Sequence, residues 1–209
     1  MEVPFGVALL AVVQGLTEFL PVSSSGHLVL VRALTGLKEA PLTLEVVLHL
    51  GTLGAVLVFF SRKIRAVLGS AWRGDGDGRR WLVAVVVGSI PAAAAGLLFR
   101  EFFESAFGSL VGTGCCLIAT GLGLWFLGKG GADRPGPAPG LGTAMAVGLA
   151  QAVAILPGIS RSGSTLLAGL NLGLDRRTAG EFSFFLMIPA VAGAGLLDLP
   201  KRSEERRVG

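Results

Sequence analysis

Charge is scarce in this chain. Of its 209 residues only 15% are charged, against 52% hydrophobic, and the mean hydropathy is +0.70. A soluble domain carries about 25% charged residues, so an ordinary water-soluble globular protein is excluded. Aromatics are also few, at 7%, and tyrosine is absent. No cluster of lysine and arginine is interleaved with aromatics, which excludes a nucleic-acid-binding face. Cysteine is limited to the adjacent pair Cys115 and Cys116. Neighbouring cysteines rarely bridge, and two thiols are too few for a zinc site; they read as small helix-packing residues. The first apolar run lacks a basic leader and passes directly into polar sequence, so no cleavable signal peptide is expected.

What is abundant is glycine, 32 residues. Many small residues with few charges fit membrane helices, whose backbones approach closely where side chains are small. Residues 42–60, 81–99 and 107–127 form apolar runs long enough to span, the first interrupted only by Glu45 and His49. A hydrocarbon core roughly 30 Å thick takes about 20 residues at 1.5 Å each. A fourth candidate is 182–199, ending at Asp198 and Pro200.

Two other apolar runs, 3–13 and 141–156, are too short and stop at motifs rich in Pro, Gly and Ser: "LPVSSSG" at 20–26 and "LPGISRSG" at 156–163. Apolar sequence resumes after each. Such broken segments predict re-entrant helical hairpins, since irregular backbone at membrane depth must be buried in protein or line a wet cavity. The two halves also repeat. From Pro21 to Pro157 is 136 positions, and from Glu45 to Glu181 is again 136. Three spans separate equivalent points, an odd number, so the repeats should be inverted. The expected fold is an all-α polytopic membrane protein with an inverted-topology repeat, its two hairpins meeting near the midplane. One integral domain covers 1–199, with repeat one at about 1–60 and repeat two at about 141–199.

Loop charge orients the array. Residues 61–80 carry Arg62, Lys63, Arg65, Arg73, Arg79 and Arg80 against Asp75 and Asp77; by the positive-inside rule this connection is cytoplasmic. Lys129 and Arg134 mark 128–140 as cytoplasmic, as do Arg176 and Arg177 for the end of the second hairpin. The short 100–106 connection, with Glu101 and Glu104, belongs outside. The net charge of +4 is thus topology. The first hairpin enters from outside and the second from inside. The basic polar tail 200–209 falls outside in this scheme, which points to a non-native or truncated end.

The chemistry lies in the breaks. In "PGISRSGST", 157–165, Arg161 sits between apolar helices, and an intramembrane arginine is a functional residue by default. Its planar fork matches phosphate oxygens. Ser160, Ser162, Ser164 and Thr165 add hydroxyls, and a helix beginning here adds free N–H groups; together they make a phosphate cradle. The plain structural alternative is a serine cap, Ser162 or Ser164, with Arg161 paired to a carboxylate. In "QGLTEFLPVSSSGHLVLV", 14–31, Gln14 and Glu18 share a helical face. Buried Glu18 needs Arg161 or a divalent cation as partner; magnesium and calcium take oxygen ligands, often one carboxylate plus substrate phosphates. Ser23, Ser24, Ser25, Gly26 and His27 follow. Ser24 with His27 three residues on suggests a nucleophile and its base, and His27 could equally attack phosphorus or protonate a leaving oxygen. His49 lies four after Glu45, on one face, as support for the site or as a helix–helix hydrogen bond.

"EFLPVSSSGH" followed by "PGISRSGST", with "LHLGTL" and "FSFFLMIPAVAGA", resembles the bacitracin-resistance type of undecaprenyl-diphosphate phosphatase over residues 1 to 199. The resemblance implies a multi-pass protein of the bacterial cytoplasmic membrane; by the loop-charge count its active site is expected to face outside. It implies hydrolysis of undecaprenyl diphosphate to undecaprenyl phosphate and inorganic phosphate, recycling the carrier of peptidoglycan synthesis and giving bacitracin resistance. The family's acidic motif falls on Gln14 and Glu18, its Ser-Gly-His segment on Ser24, Gly26 and His27, and its arginine motif on Ser160, Arg161 and Thr165. The family continues through two more membrane helices, so a C-terminal truncation is expected. The expected catalytic set is Glu18, Ser24, His27 and Arg161. Substrate contacts are expected from Gln14, Ser23, Ser25, Gly26, Ser160, Ser162 and Thr165, with Glu18 the ligand of a Mg2+ or Ca2+ ion that comes with the diphosphate. The partners are the polyprenyl diphosphate and membrane lipids, with no nucleic acid; a homodimer is compatible. The rivals are an inverted-repeat transporter or flippase for an anionic polyprenyl phosphate, and an intramembrane serine protease, which Arg161 argues against.

Overall fold

Each apolar stretch that falls short of membrane length stops in a turn and restarts as a second helix. The computed structural model describes residues 2–36, 42–127 and 136–208, and among these every regular element is an α-helix. The first broken pair is α1 (Glu2–Thr17) and α2 (Ser24–Thr35); the second is α8 (Leu141–Val153) and α9 (Arg161–Asn171). Between them lie α3 (Leu42–Phe59), α4 (Ser61–Trp72), α5 (Gly76–Leu98), α6 (Arg100–Ala106) and α7 (Leu110–Leu127), and α10 (Arg176–Val208) closes the chain.

Two helices, Gly76–Leu98 and Arg176–Leu196, are long and apolar enough to cross a membrane alone. Two bent pairs, Val46–Phe59 with Ser61–Trp72 at 68° and Arg100–Ala106 with Leu110–Phe126 at 93°, bring the number to as many as four. These coincide with the four stretches expected from sequence. The chain is an all-helical, multi-pass membrane protein.

Three element boundaries differ from expectation. Residues 61–72, taken as loop, form α4: Ile64 and Val67 fall three apart on the face packed toward Trp81, while Arg62 and Arg65 lie exposed. Helix α5 starts five residues before the apolar run because Asp75 caps it. Its carboxylate accepts from the Asp77 amide at 3.3 Å and from the Ser70 hydroxyl at 2.7 Å, satisfying a first-turn N–H. The Ser70 bond, with the Asp77 amide, holds the Asp75 carboxyl below the usual aspartate pKa. Helix α10 continues through Pro200 to Val208. The charges of Lys129 and Arg134 and the side chains of Glu45 and 197–209 lie outside what is described.

The core joins α4, α5, α8 and α10 through Val67, Trp81, Ala84, Ala144, Val147, Phe182, Phe185 and Leu186. In lipid, apolar burial drives little helix association and close packing must do it. At the α5–α8 crossing the two backbones touch: a Cβ on Gly148 would strike the Gly88 carbonyl oxygen and meet its carbon at 2.9 Å. That rigid pair carries the second hairpin.

One end of the bundle carries an ion-pair network. Lys63 Nζ lies 2.8 Å from Glu181 Oε2, Arg177 Nε donates to Glu181 Oε1 at 3.1 Å, and the Lys63 ammonium sits 5.1 Å from the Trp81 ring centre. The basic 61–80 segment and the start of α10 therefore share a face.

Candidate active site

The first break is shaped by Ser23. Helix α1 gives way to turns over 18–22, and Ser23 takes φ 65, ψ 92, the one positive-φ residue other than glycine among those described. Left-handed backbone at a non-glycine residue is costly and tends to persist where function requires it. Ser23 Oγ accepts from the Gly26 amide at 3.3 Å, capping α2. In the second break, Gly158 has φ 94, a conformation that favours glycine. Ser160, rather than Ser162 or Ser164, caps α9, its Oγ accepting from the Gly163 amide at 3.0 Å.

The two tips touch. A Cβ on Gly26 would lie 2.8 Å from Gly158 Cα, so only paired glycines let the hairpins approach this closely. Ser162 Oγ donates to the Leu20 carbonyl at 3.3 Å. Arg161 Nη2 donates to Glu18 Oε1 at 2.6 Å across 143 residues of sequence. The other carboxylate oxygen, Oε2, accepts from Ser24 Oγ at 2.5 Å, lies 3.3 Å from His49 Nε2 and faces the Gln14 amide nitrogen at 3.4 Å. Glu18 is buried, at 6% exposure, and every contact on it is a donor.

These groups line a cavity of about 190 Å³, well above the ~10–15 Å³ one water needs. Its walls include Glu18, Ser23, Ser24, Ser25, His49, Ser160, Arg161 and Ser162, with Leu20, Phe107, Ile155, Ile159 and Val191 supplying apolar surface. Arg161 Nη1, shielded from solvent, has no partner in the protein. An unsatisfied guanidinium N–H is a donor that an anion could use.

Of the catalytic and substrate-contact residues expected from sequence, Gln14, Gly26, His27 and Thr165 are off the wall. Gln14, at 1% exposure, also faces Thr52 Oγ1 at 3.3 Å and steadies Glu18. Thr165 Oγ1 donates to the Arg161 carbonyl at 2.9 Å and shares a 2.6 Å hydrogen bond with Ser183. Gly26 is the contact between tips. The Ser24 hydroxyl meets Glu18, not His27, whose Nδ1 donates to the Ser23 carbonyl at 2.8 Å. Sequence reasoning missed Thr52, Thr120 and Ser183. Each is a hydroxyl flanked by apolar residues within a helix, and such residues commonly bond their own backbone.

For a metal, no group of three or more His, Cys, Asp or Glu exists among the described residues, and Glu18 is the one carboxylate on the cavity wall. That donor set does not make an all-protein cage.

A family model described as "Bacitracin resistance protein BacA" matches residues 7–208. The chain belongs to the BacA family. Among curated BacA-like relatives it is 43% identical over 219 residues to an undecaprenyl-diphosphatase of Desulforapulum autotrophicum, covering 95% of this chain and 78% of that protein. It is 44% identical over 213 residues to one of Desulfosudis oleivorans, covering 93% and 76%. The undecaprenyl-diphosphatase of Rhodopirellula baltica is 44% identical over 208 residues, covering 97% and 77%.

Proposed function

We propose that this BacA-family chain is an undecaprenyl-diphosphatase of the bacterial inner membrane. It releases the terminal phosphate of the lipid diphosphate and returns the monophosphate carrier to peptidoglycan synthesis, which confers bacitracin resistance. The observation that carries this reading is the junction of Arg161 with Ser24 on the two oxygens of Glu18, at 2.6 Å and 2.5 Å. A transporter needs the anion donor; it does not need a serine hydroxyl presented to a buried carboxylate.

The diphosphate enters with its terminal phosphoryl group against the Arg161 guanidinium, the Ser162 hydroxyl and the first N–H groups of α9. Glu18 Oε2 accepts the Ser24 proton as Oγ attacks phosphorus. The bridging P–O bond breaks, and undecaprenyl phosphate leaves. Water then hydrolyses the phosphoserine, returning the proton to Ser24 and releasing inorganic phosphate. His49 beside Oε2 and Gln14 behind it hold the carboxylate in register. His27, fixed through Nδ1, keeps Nε2 available and is the competing nucleophile. A Mg2+ or Ca2+ ion carried by the diphosphate would sit at Glu18 and neutralise phosphate charge. Positioned cationic and N–H donors provide most of the rate gain.

The cavity faces outside in this reading. Phe107, which directly follows the 100–106 connection assigned outside by loop charge, lies on its wall, whereas the Lys63–Glu181 network gathers the basic segments at a common face. Self-association as a homodimer is part of the same proposal and is read from the mass of the purified particle. The deciding experiment is phosphate release from a C55 lipid diphosphate by purified protein, with and without EDTA. Release that stops with EDTA and returns with Mg2+ or Ca2+ is expected. Tight lipid-diphosphate binding with no phosphate released would replace this reading with the transporter.

A further inference from the structure

We propose that Thr120, in the middle of α7, is a positioning residue that sets the angle of the anion-holding tip; the inference rests on the phosphatase reading of the cavity. The Thr120 hydroxyl spends both kinds of bonding capacity on one short stretch. Oγ1 donates to the Gly158 carbonyl at 2.8 Å and accepts from the Ser160 amide at 3.1 Å. Neither backbone group has a helical partner, because 154–160 is the break between α8 and α9 and Ser160 precedes the first turn. At membrane depth such groups must be satisfied by protein, and one side chain satisfies both.

The surroundings make this a clamp. Gly158 lies flat on α7: a Cβ there would strike the Thr113 carbonyl and meet Cys116 Cβ at 2.7 Å and Leu117 N at 3.0 Å. Packing fixes the distance of the tip from α7, and the hydroxyl fixes its rotation. Ser160 is the residue before Arg161 and caps α9. A rotated tip would turn both the guanidinium and the first N–H groups of α9 away from the phosphate. Thr120 itself is absent from the cavity wall, so it acts only through Ser160 and Arg161. This gives α7, an uncharged span with no chemistry of its own, a part in catalysis.

The test compares Thr120→Val, which keeps the shape and removes the hydroxyl, with Thr120→Ser, which keeps the hydroxyl, in full-length purified protein. Two quantities are read: kcat on C55 lipid diphosphate and the affinity for inorganic pyrophosphate by calorimetry. Misplacement by about 1 Å costs on the order of 100-fold, so Thr120→Val should lose at least about tenfold in kcat and a similar factor in pyrophosphate affinity. Thr120→Ser should recover both. If Thr120→Val does not accumulate, Thr120→Ala removes the hydroxyl with less bulk and is read the same way. A melting temperature that falls while kcat and pyrophosphate affinity stay at parent values means a structural role and overturns the proposal, as does Thr120→Ser behaving like Thr120→Val. If the parent binds pyrophosphate but releases no phosphate from lipid diphosphate, the reaction assignment fails alone, and pyrophosphate affinity still decides Thr120. A parent that binds no pyrophosphate overturns both.

Discussion

A single carboxylate, Glu18, holds four donors from three separate segments: Gln14 and Ser24 from the first hairpin, His49 from α3 and Arg161 from the second. Arg161→Lys keeps the charge and loses the fork. A lysine can satisfy Glu18 or reach a phosphate, not both in the bidentate geometry, so turnover should fall about 10²- to 10³-fold, the range for losing one transition-state donor, while the protein still folds. Near-parent kcat in Arg161→Lys would remove the clamp from the mechanism. At Ser24 and His27 the geometry makes an asymmetric prediction. Ser24→Ala removes the hydroxyl on Glu18 and should abolish turnover with lipid diphosphate still bound. His27→Ala should impair turnover less, since His27 is absent from the cavity wall. A trapped phosphoenzyme mapped by mass spectrometry should carry its label on Ser24; a label on His27 would reverse the assignment. The i, i+4 spacing made the closeness of Gln14 and Glu18 legible in the sequence. The meeting of Ser24 with Glu18 was not, because a five-residue turn with a left-handed serine lies between them and spacing rules hold only along a continuous helix.

Among the elements, glycine decides where helices may cross. Gly148 presses on Gly88 of α5 with no room for a methyl group, whereas Gly15 in α1 has nothing within 4 Å of its would-be Cβ. Gly148→Ala should therefore overpack the α5–α8 crossing and destabilise by about 1–3 kcal/mol, seen as a lower melting temperature in detergent. Gly15→Ala should be neutral or slightly stabilising, as expected for Gly to Ala in a helix; equal melting temperatures for the two variants would refute the crossing argument. The spans themselves were readable from the length of apolar runs, and the hairpins from runs that end early at Pro and Gly. Helix α4 was not, because its charges dominate a reading made on hydropathy while only Ile64 and Val67 mark the buried face. The clamp from α7 was invisible for a different reason: a threonine in a membrane helix ordinarily bonds its own backbone, and nothing in sequence says that Thr120 reaches across instead.

At the scale of the whole molecule, the substrate explains why polar chemistry sits between apolar runs. A polyprenyl diphosphate is divided between a hydrocarbon chain that stays in lipid and a charged end that must reach water. A broken hairpin suits that division, since its flanking helices remain in lipid while its turn opens on a wet cavity. Two hairpins of opposite direction put an anion donor from one against a carboxylate and hydroxyl from the other, and the 2.6 Å Arg161–Glu18 contact is where they join. The Lys63, Arg177 and Glu181 network occupies the face that gathers the basic segments, and Phe107, next to the connection assigned to the other side, borders the cavity. Phosphate should then leave away from the basic face. Reconstituted in vesicles with orientation scored by protease access to the 61–80 segment, molecules with that segment inside should release phosphate to the external medium, where an added phosphate-binding sensor reads it at once. Molecules with the segment outside should fill the lumen, giving a signal only after detergent is added. Prompt external phosphate from the second population would place the opening on the basic face and reverse the topology, while leaving the chemistry at Ser24, Glu18 and Arg161 intact.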